Sequence, residues 1–353
     1  MDNITAAFVA AVQAKVFSGA QFLHGVGDEV RYLGAFGKVS EDPDSRNITK
    51  NSLFDIASLT KPISTAALFM VAFQESKIDL DQPIQDWLPN FKRAETLSLK
   101  NLLNHDSGLP AWLPLFEEVR GKNWNYDKIR DFYIDRIAAA PLLAAPGANR
   151  VYSDLGFILL GFALEKIFGR RLDPLFQEKI AGPLAMEQTL FHPLNHIDRI
   201  VAQDIAATEI CPWRGRLILG EVHDDNAHVL GGAAGHAGLF GSAQDLGRFA
   251  REILAAREGK GRIFKSETLE RFLGAQATPK LGWDTISLSG SQAGSGFAAD
   301  QSVGHLAFTG CSLWIDFSDG KYIVLLTNRV HPRRDNEAIK EFRPRIHDLL
   351  LQS

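Results

Sequence analysis

Cysteine is scarce in this chain. Two residues, Cys211 and Cys311, stand a hundred positions apart in 353, in neither a metal-ligand nor a redox spacing. That excludes a disulfide framework and leaves two buried free thiols as the expectation. No basic block interrupts a balance of 38 Lys and Arg against 42 Asp and Glu. Nucleic acid and anionic membrane surfaces are therefore not expected partners. No uncharged apolar run reaches the length of a membrane span. The N-terminus from Met1 to Val9 lacks a basic region followed by a long apolar one, so it reads as an amphipathic helix and not as a signal peptide. The cytoplasm is the expected compartment. Internal repeats and low-complexity tracts are also missing, and hydrophobic residues at 45% with charged residues at 23% are ordinary globular values.

A first helix is expected over about residues 3–17, then a hairpin within Gln21–Phe36 that turns at Gly27-Asp28. Phe54-Asp55-Ile56 leads into a helix that has Pro62 in its first turn and no charge as far as Gln74. The middle of the chain reads as helical and loop-rich, with helices at Leu99–Asn104, Tyr126–Ala140 and Leu155–Phe168, the last stopped by Gly169. Gly231 to Gly241 reads as a loop, and Ser242 to Asp245 as the capping start of a helix to about Ala256. From about Leu281 the pattern turns to period two, giving strands at Val303–Thr309, Ser312–Phe317 and Tyr322–Asn328 and a closing helix at Asn336–Leu351. The expected fold is α+β. Residues 1–56 and 276–353 make an antiparallel sheet flanked by helices, 57–275 make a mostly helical lobe, and a cleft between them holds the active site.

The chemistry centres on Ser58 and Lys61. On a helix, residues three apart share a face with Cβ atoms about 5–6 Å apart, so an amine can take a proton from the hydroxyl. A second Ser-x-x-Lys, Ser318 to Lys321, flanks Asp319-Gly320, a tight hairpin signal, and is assigned a structural role. Gly-x-Ser-x-Gly occurs nowhere, which excludes a nucleophile elbow. Two further features follow in order: Tyr152-Ser153-Asp154 on a turn before a helix, and Gly304-His305-Leu306-Ala307-Phe308-Thr309-Gly310 along a late strand.

With these three elements the sequence resembles the serine β-lactamase, penicillin-binding protein and esterase superfamily, in its class C-like branch. That branch carries Ser-x-x-Lys, Tyr-x-Asn and then Lys-Thr-Gly or His-x-Gly. Segments between them are similar to the family's as well: Asn101–Leu109, Tyr152–Gly161, Gly182–Met186 and Gly238–Leu246. The resemblance implies a β-lactamase/transpeptidase-like fold and a cofactor-independent acyl-enzyme mechanism on a small-molecule substrate. It implies Ser58 as nucleophile, Lys61 as general base or as sharing a proton with Tyr152, and Tyr152 as proton donor and activator of water. His305 stands for the third motif's lysine, and the backbone N–H groups of Ser58 and Phe308 form the oxyanion hole.

Two positions depart from the family pattern. Asp154 replaces an asparagine, and an ionised carboxylate beside Lys61 favours the charged amine and weakens the base. Ala307 replaces a glycine where substrate backbone lies close. Both disfavour β-lactam opening more than cleavage of a simple ester, and Asp154 could meet a substrate amine such as that of a D-amino-acid peptide. A class C-like β-lactamase and a non-hydrolytic binding protein remain alternatives, and the oligomeric state is open. His223, His228 and His236, with Asp224 and Asp225, match no common metal spacing and read as a loop near the cleft. Trp112, Trp124 and Trp283 are candidates for either an acyl pocket or the core.

Overall fold

A computed structural model describes residues 3–196, 202–274, 280–287 and 290–352. The first helix, α1 (Asn3–Gln13), precedes the hairpin β1 (Gly19–Val26) and β2 (Glu29–Gly37). A two-residue strand, β3 (Phe54–Asp55), leads through a 3₁₀ turn at Ala57–Leu59 and a π-helical segment at Lys61–Ala66 into α2 (Ala67–Gln74). Then come α3 (Leu99–Leu103), α4 (Leu115–Val119), α5 (Tyr126–Ala139), α6 (Asp154–Phe168), α7 (Leu172–Phe176) and β4 (Leu190–Phe191). The short pair β5 (Ile210–Cys211) and β6 (Arg216–Leu217) is followed by α8 (Asp225–Val229), β7 (Leu239–Gly241), α9 (Ala243–Arg257) and α10 (Ser266–Leu273). The chain ends with β8 (Ser302–Leu306), β9 (Ser312–Asp316), β10 (Lys321–Thr327) and α11 (Ile339–Leu351).

The large sheet runs β2-β1-β10-β9-β8, antiparallel throughout, so its strands come from both ends of the chain. Strand β10 lies in the middle and is apolar on both faces because each face is covered. Ile323 and Leu325 join Phe8, Phe22 and Ile346 in one cluster under α1 and α11. Tyr322, Val324 and Leu326 join Leu246, Phe249 and Ile253 of α9 in the other. Phe8 stacks at 4.7 Å on both Phe22 and Phe36, fixing α1 on the sheet. Both expected hairpin turns form on glycines in the left-handed region, Gly27 (φ 54°) and Gly320 (φ 73°). Ser318 and Lys321 serve that second turn, donating to Asp316 and Asp319. Cys211 and Cys311 are buried free thiols.

Several boundaries differ from expectation for identifiable reasons. Lys15 enters a left-handed conformation (φ 55°), so α1 stops at Gln13 and not at residue 17. Ser76 (φ 54°) likewise follows the end of α2. The last three residues of the expected glycine loop form β7, the centre of a three-stranded sheet between β3 and β4. Strand β8 ends at Leu306: Ala307 N–H donates to Cys311 and Gly310 N–H to Ala307, so Ala307 and Phe308 sit in a turn. Regular pairing begins only at Ser302, preceded by a single bridge between Asp284 and Gly304. Asn336 does not start α11. Its amide ties down the end of α1 by donating to Lys15 and Val16 carbonyls. The expected lobe boundary at 275/276 lies outside the described residues. Among the described residues no helix is long and apolar enough to cross a membrane.

His347, fully buried on α11, has Ala293 O 3.1 Å from Nδ1 and Ser312 Oγ 3.4 Å from Nε2. Burial, with the nearby Arg343, pushes it down to about 3. The unfolded imidazole titrates near 6.5, so between these values only the unfolded chain binds the proton. Stability contributed by the neutral ring is therefore present above about pH 6.5 and lost as pH falls toward 3, at about 1.4 kcal/mol per unit. Urea midpoints measured from pH 7 to 4 should fall less steeply for His347→Gln than for the wild type.

Candidate active site

Ser58 sits in the 3₁₀ turn after β3, preceded by Ala57 at φ 42°, a backbone conformation that costs a non-glycine residue about 1–3 kcal/mol. Asp55 holds this turn in place. Its Oδ1 accepts the Ala57 N–H (2.8 Å) and its Oδ2 the His223 N–H (2.6 Å), while its carbonyl accepts the Thr309 hydroxyl (2.8 Å). One buried residue thus joins the Ser58 turn, the His223–Asp225 wall and the turn that carries Phe308. The motif helix opens as a π segment and not as a regular α-helix. Thr60 Oγ1 accepts the Leu239 N–H (3.2 Å) and Thr65 Oγ1 donates to Gly235 O (2.6 Å), tying it to the glycine-rich loop.

Lys61 is fully buried. Its ammonium donates to Ser58 Oγ (3.0 Å) and His236 O (3.1 Å), and stands 2.8 Å from Asp154 Oδ1. The last approach is an ion pair between the buried ammonium and a partly buried carboxylate. Burial alone would lower the Lys61 pKa; Asp154, with Tyr152, outweighs it and holds the amine above its ordinary value. Tyr152 is 38% exposed along the cleft, but burial of its hydroxyl end pushes its pKa up to about 12, with Lys61 opposing and Asp154 adding to the rise.

Tyr152 is positioned by His105, a residue of the Asn101–Leu109 segment. The rings stack at 4.6 Å, and His105 Nδ1 accepts the Ser153 N–H at 3.0 Å. Burial, reinforced by Lys61, keeps His105 well below its ordinary pKa, which leaves Nδ1 free to accept. His305, on β8, lies 5.9 Å from the Tyr152 ring and is held neutral chiefly by burial. Its Nδ1 meets Leu306 O at 2.7 Å, and its buried Nε2 has no partner among the described residues.

All seven residues singled out in the sequence converge. Ser58, Tyr152, Asp154, His305, Ala307 and Phe308 line a cleft of about 520 Å³, with Lys61 beneath it. His223, Asp224, Asp225 and His236 form another wall, whereas His228 is outside the lining and faces Glu221 at 3.7 Å. Among the described residues no group of His, Cys, Asp and Glu is arranged to hold a metal. Of the three tryptophans, Trp112 lines the cleft, Trp283 is core against Phe249, and Trp124 lies beneath Lys122 and Lys128. Sequence reasoning passed over Asp55, Arg334 and Asp284. Their roles depend on residues far along the chain, and no local pattern marks them.

Asp55→Ala leaves the Ala57 and His223 N–H groups buried without acceptors, each costing about 1–3 kcal/mol. The urea midpoint should drop by the equivalent of about 2–6 kcal/mol, while Asp55→Asn, which keeps one acceptor, should fall between it and wild type.

The Beta-lactamase family model matches residues 4–344. A protein of Escherichia coli (strain K12), named provisionally as a D-alanyl-D-alanine carboxypeptidase, is 32% identical over 310 residues, covering 80% of this chain and 70% of its own. Among solved structures, the octameric penicillin-binding protein homologue from Pyrococcus abyssi matches with a TM-score of 0.76 at 21% identity, over 100% of this chain and 78% of that one. Unliganded simvastatin synthase (LovD) from Aspergillus terreus matches with 0.73 at 19% identity, over 99% of this chain and 98% of that one. These distant structures speak for the fold, and the family match over nearly the whole length speaks for descent. The chain is a serine hydrolase with the β-lactamase/transpeptidase-like fold, and it belongs to the Beta-lactamase family.

Proposed function

We propose that the enzyme works through an acyl-Ser58 intermediate on small carboxylic esters or amides, including D-amino-acid peptides. The observation that carries this reading is the 3.0 Å contact between Lys61 Nζ and Ser58 Oγ at the floor of the cleft. At neutral pH the resting site holds Lys61 as an ammonium and Tyr152 as a phenol. The reactive form is the minority in which the Lys61–Tyr152 pair has lost one proton. That pair takes the Ser58 hydroxyl proton as Oγ attacks the carbonyl carbon, and Tyr152 returns a proton to the leaving group. Water then attacks the acyl carbon and gives a proton to the pair, and as the bond to Ser58 Oγ breaks the pair returns that proton to Oγ, regenerating the hydroxyl and releasing the acid.

The developing oxyanion is assigned to the N–H groups of Ser58 and Phe308. Neither donates to a backbone carbonyl among the described residues. His305 serves as a neutral acceptor beside Tyr152 where the family pattern has a lysine. The name of the Escherichia coli relative supports D-amino-acid peptides as a substrate class. The Ala307 methyl narrows the same wall and favours slim acyl groups.

Intact-mass spectrometry tests the reading, after incubation with a p-nitrophenyl ester, a β-lactam and a fluorophosphonate. One adduct per chain is expected in wild type and none in Ser58→Ala, whose p-nitrophenyl ester turnover should fall by about 10⁴-fold. Unchanged turnover in that variant would sink the proposal. Fluorophosphonate labelling should quicken from pH 6 to 9. In Asp154→Asn the proton on Lys61 loses its main support, so the rise should begin at lower pH and labelling at pH 7 should be faster.

A further inference from the structure

The charges that line the cleft are unequally engaged. Arg334, with its side chain 41% exposed, is the only Lys or Arg in the lining among the described residues. Its guanidinium is already occupied. Nε and Nη2 donate to the Glu209 carboxylate at 2.5–2.8 Å, and Nη1 and Nη2 reach Asp225 Oδ2 at 3.4 Å. Lys61 beneath the floor is shared by Ser58, His236 and Asp154, and Arg150 at the rim pairs with Asp284 at 3.2 Å. A substrate carboxylate would meet no unpaired Lys or Arg among the described residues that line the cleft.

The carboxylates divide differently. Asp154 balances the buried Lys61 ammonium, Asp284 balances Arg150, and Asp225 balances Arg214 (3.1 Å) and Arg334. Asp224 pairs with His236 and, among the described residues, with no Lys or Arg. Its Oδ1 accepts the His236 Nε2–H (2.8 Å) and the Ala227 N–H (2.7 Å). Its Oδ2 makes no hydrogen bond among the described residues, and its side chain is 23% exposed on the cleft wall. Burial alone would raise its pKa; His236, the Ala227 N–H and Lys61 together hold it below the usual carboxylate range. A second open acceptor lies elsewhere in the lining. His305, 1% exposed in the same lining, has its Nδ1 proton on Leu306 O, so its unpartnered Nε2 is a bare acceptor. Among the described residues that line it, the cleft thus offers unfilled acceptors and no unpaired Lys or Arg.

We infer that the substrate carries a protonated amine on its acyl side, as an α-amino acyl ester or amide does, and that Asp224 Oδ2 receives the ammonium. The inference rests on the acyl-Ser58 reading. In that reading Tyr152 and His305 serve the leaving group, so the acyl part faces the wall that carries Asp224. Asp154, although it adjoins Lys61, has its charge spent on that amine.

Protection of Ser58 from a fluorophosphonate tests this without requiring turnover. D-alaninamide should protect wild type at a concentration at least tenfold lower than N-acetyl-D-alaninamide, as expected for a charge-assisted hydrogen bond. In Asp224→Asn the two should protect alike, whereas general loosening of the cleft would weaken both and keep their ratio. The advantage in wild type should also fade as pH rises past the amine's own pKa. Equal or reversed protection in wild type overturns the inference, as does a ratio that survives in Asp224→Asn. So does stronger protection by a peptide ending in a free D-alanine carboxylate with its amines acetylated. A wild-type Ser58 that takes no label overturns the acyl-enzyme reading itself, and this one with it.

Discussion

A buried ammonium governs the architecture around the cleft. Lys61 is enclosed completely, and an uncompensated charge at that depth would cost several kcal/mol. Its compensation comes from three separate places: the Ser58 turn, the Asp154 end of α6, and the His236 carbonyl in the glycine-rich loop. Those elements therefore meet at one point around the ammonium. Removing one partner of such a buried pair commonly costs roughly 3–5 kcal/mol, which makes the site as much a folding constraint as a catalytic one.

Asp55 does for the backbone what Lys61 does for the charges. The strained Ala57 conformation is affordable because a carboxylate buried with it accepts the Ala57 N–H. The same carboxylate takes the His223 N–H, and the same residue's carbonyl takes the Thr309 hydroxyl. Three walls that approach from distant parts of the chain are thereby kept in a fixed relation. Preorganisation of this kind is what positions a nucleophile against its oxyanion donors.

How far the sequence could be read follows from how local each feature is. The helix spacing of Ser58 and Lys61, the Tyr152 turn and the paired strands around Asp319-Gly320 are short-range patterns, and the resemblance supplied their order. The π segment at Lys61 was not legible, because its hydroxyl anchors bind Leu239 and Gly235, far along the chain. The end of β8 was misread because Val303–Thr309 alternates like a strand throughout. The reversal at Ala307–Gly310 is set by Gly310 in a left-handed conformation (φ 99°) and by the Thr309 hydroxyl on Asp55. Trp112, Trp124 and Trp283 are alike in sequence yet end as cleft lining, surface packing and core, since burial is decided by neighbours no local pattern names.

Asp154 and Asp224 illustrate the same lesson in energetic terms. Both are carboxylates on the cleft, and from sequence Asp154 is the natural receiver of a substrate amine because it lies in the motif. Coulomb interactions are shared among all charges within reach, and an acid that already neutralises a buried amine gains little from a second one. Asp224 pairs with His236 and, among the described residues, with no Lys or Arg, and its Oδ2 accepts no hydrogen bond among them. The motif departure at Asp154 therefore acts inward, on the proton held by Lys61. In the proposed mechanism its effect falls on the strength of the base, and the proposed receiver of the substrate amine lies in the wall built from His223 to His236.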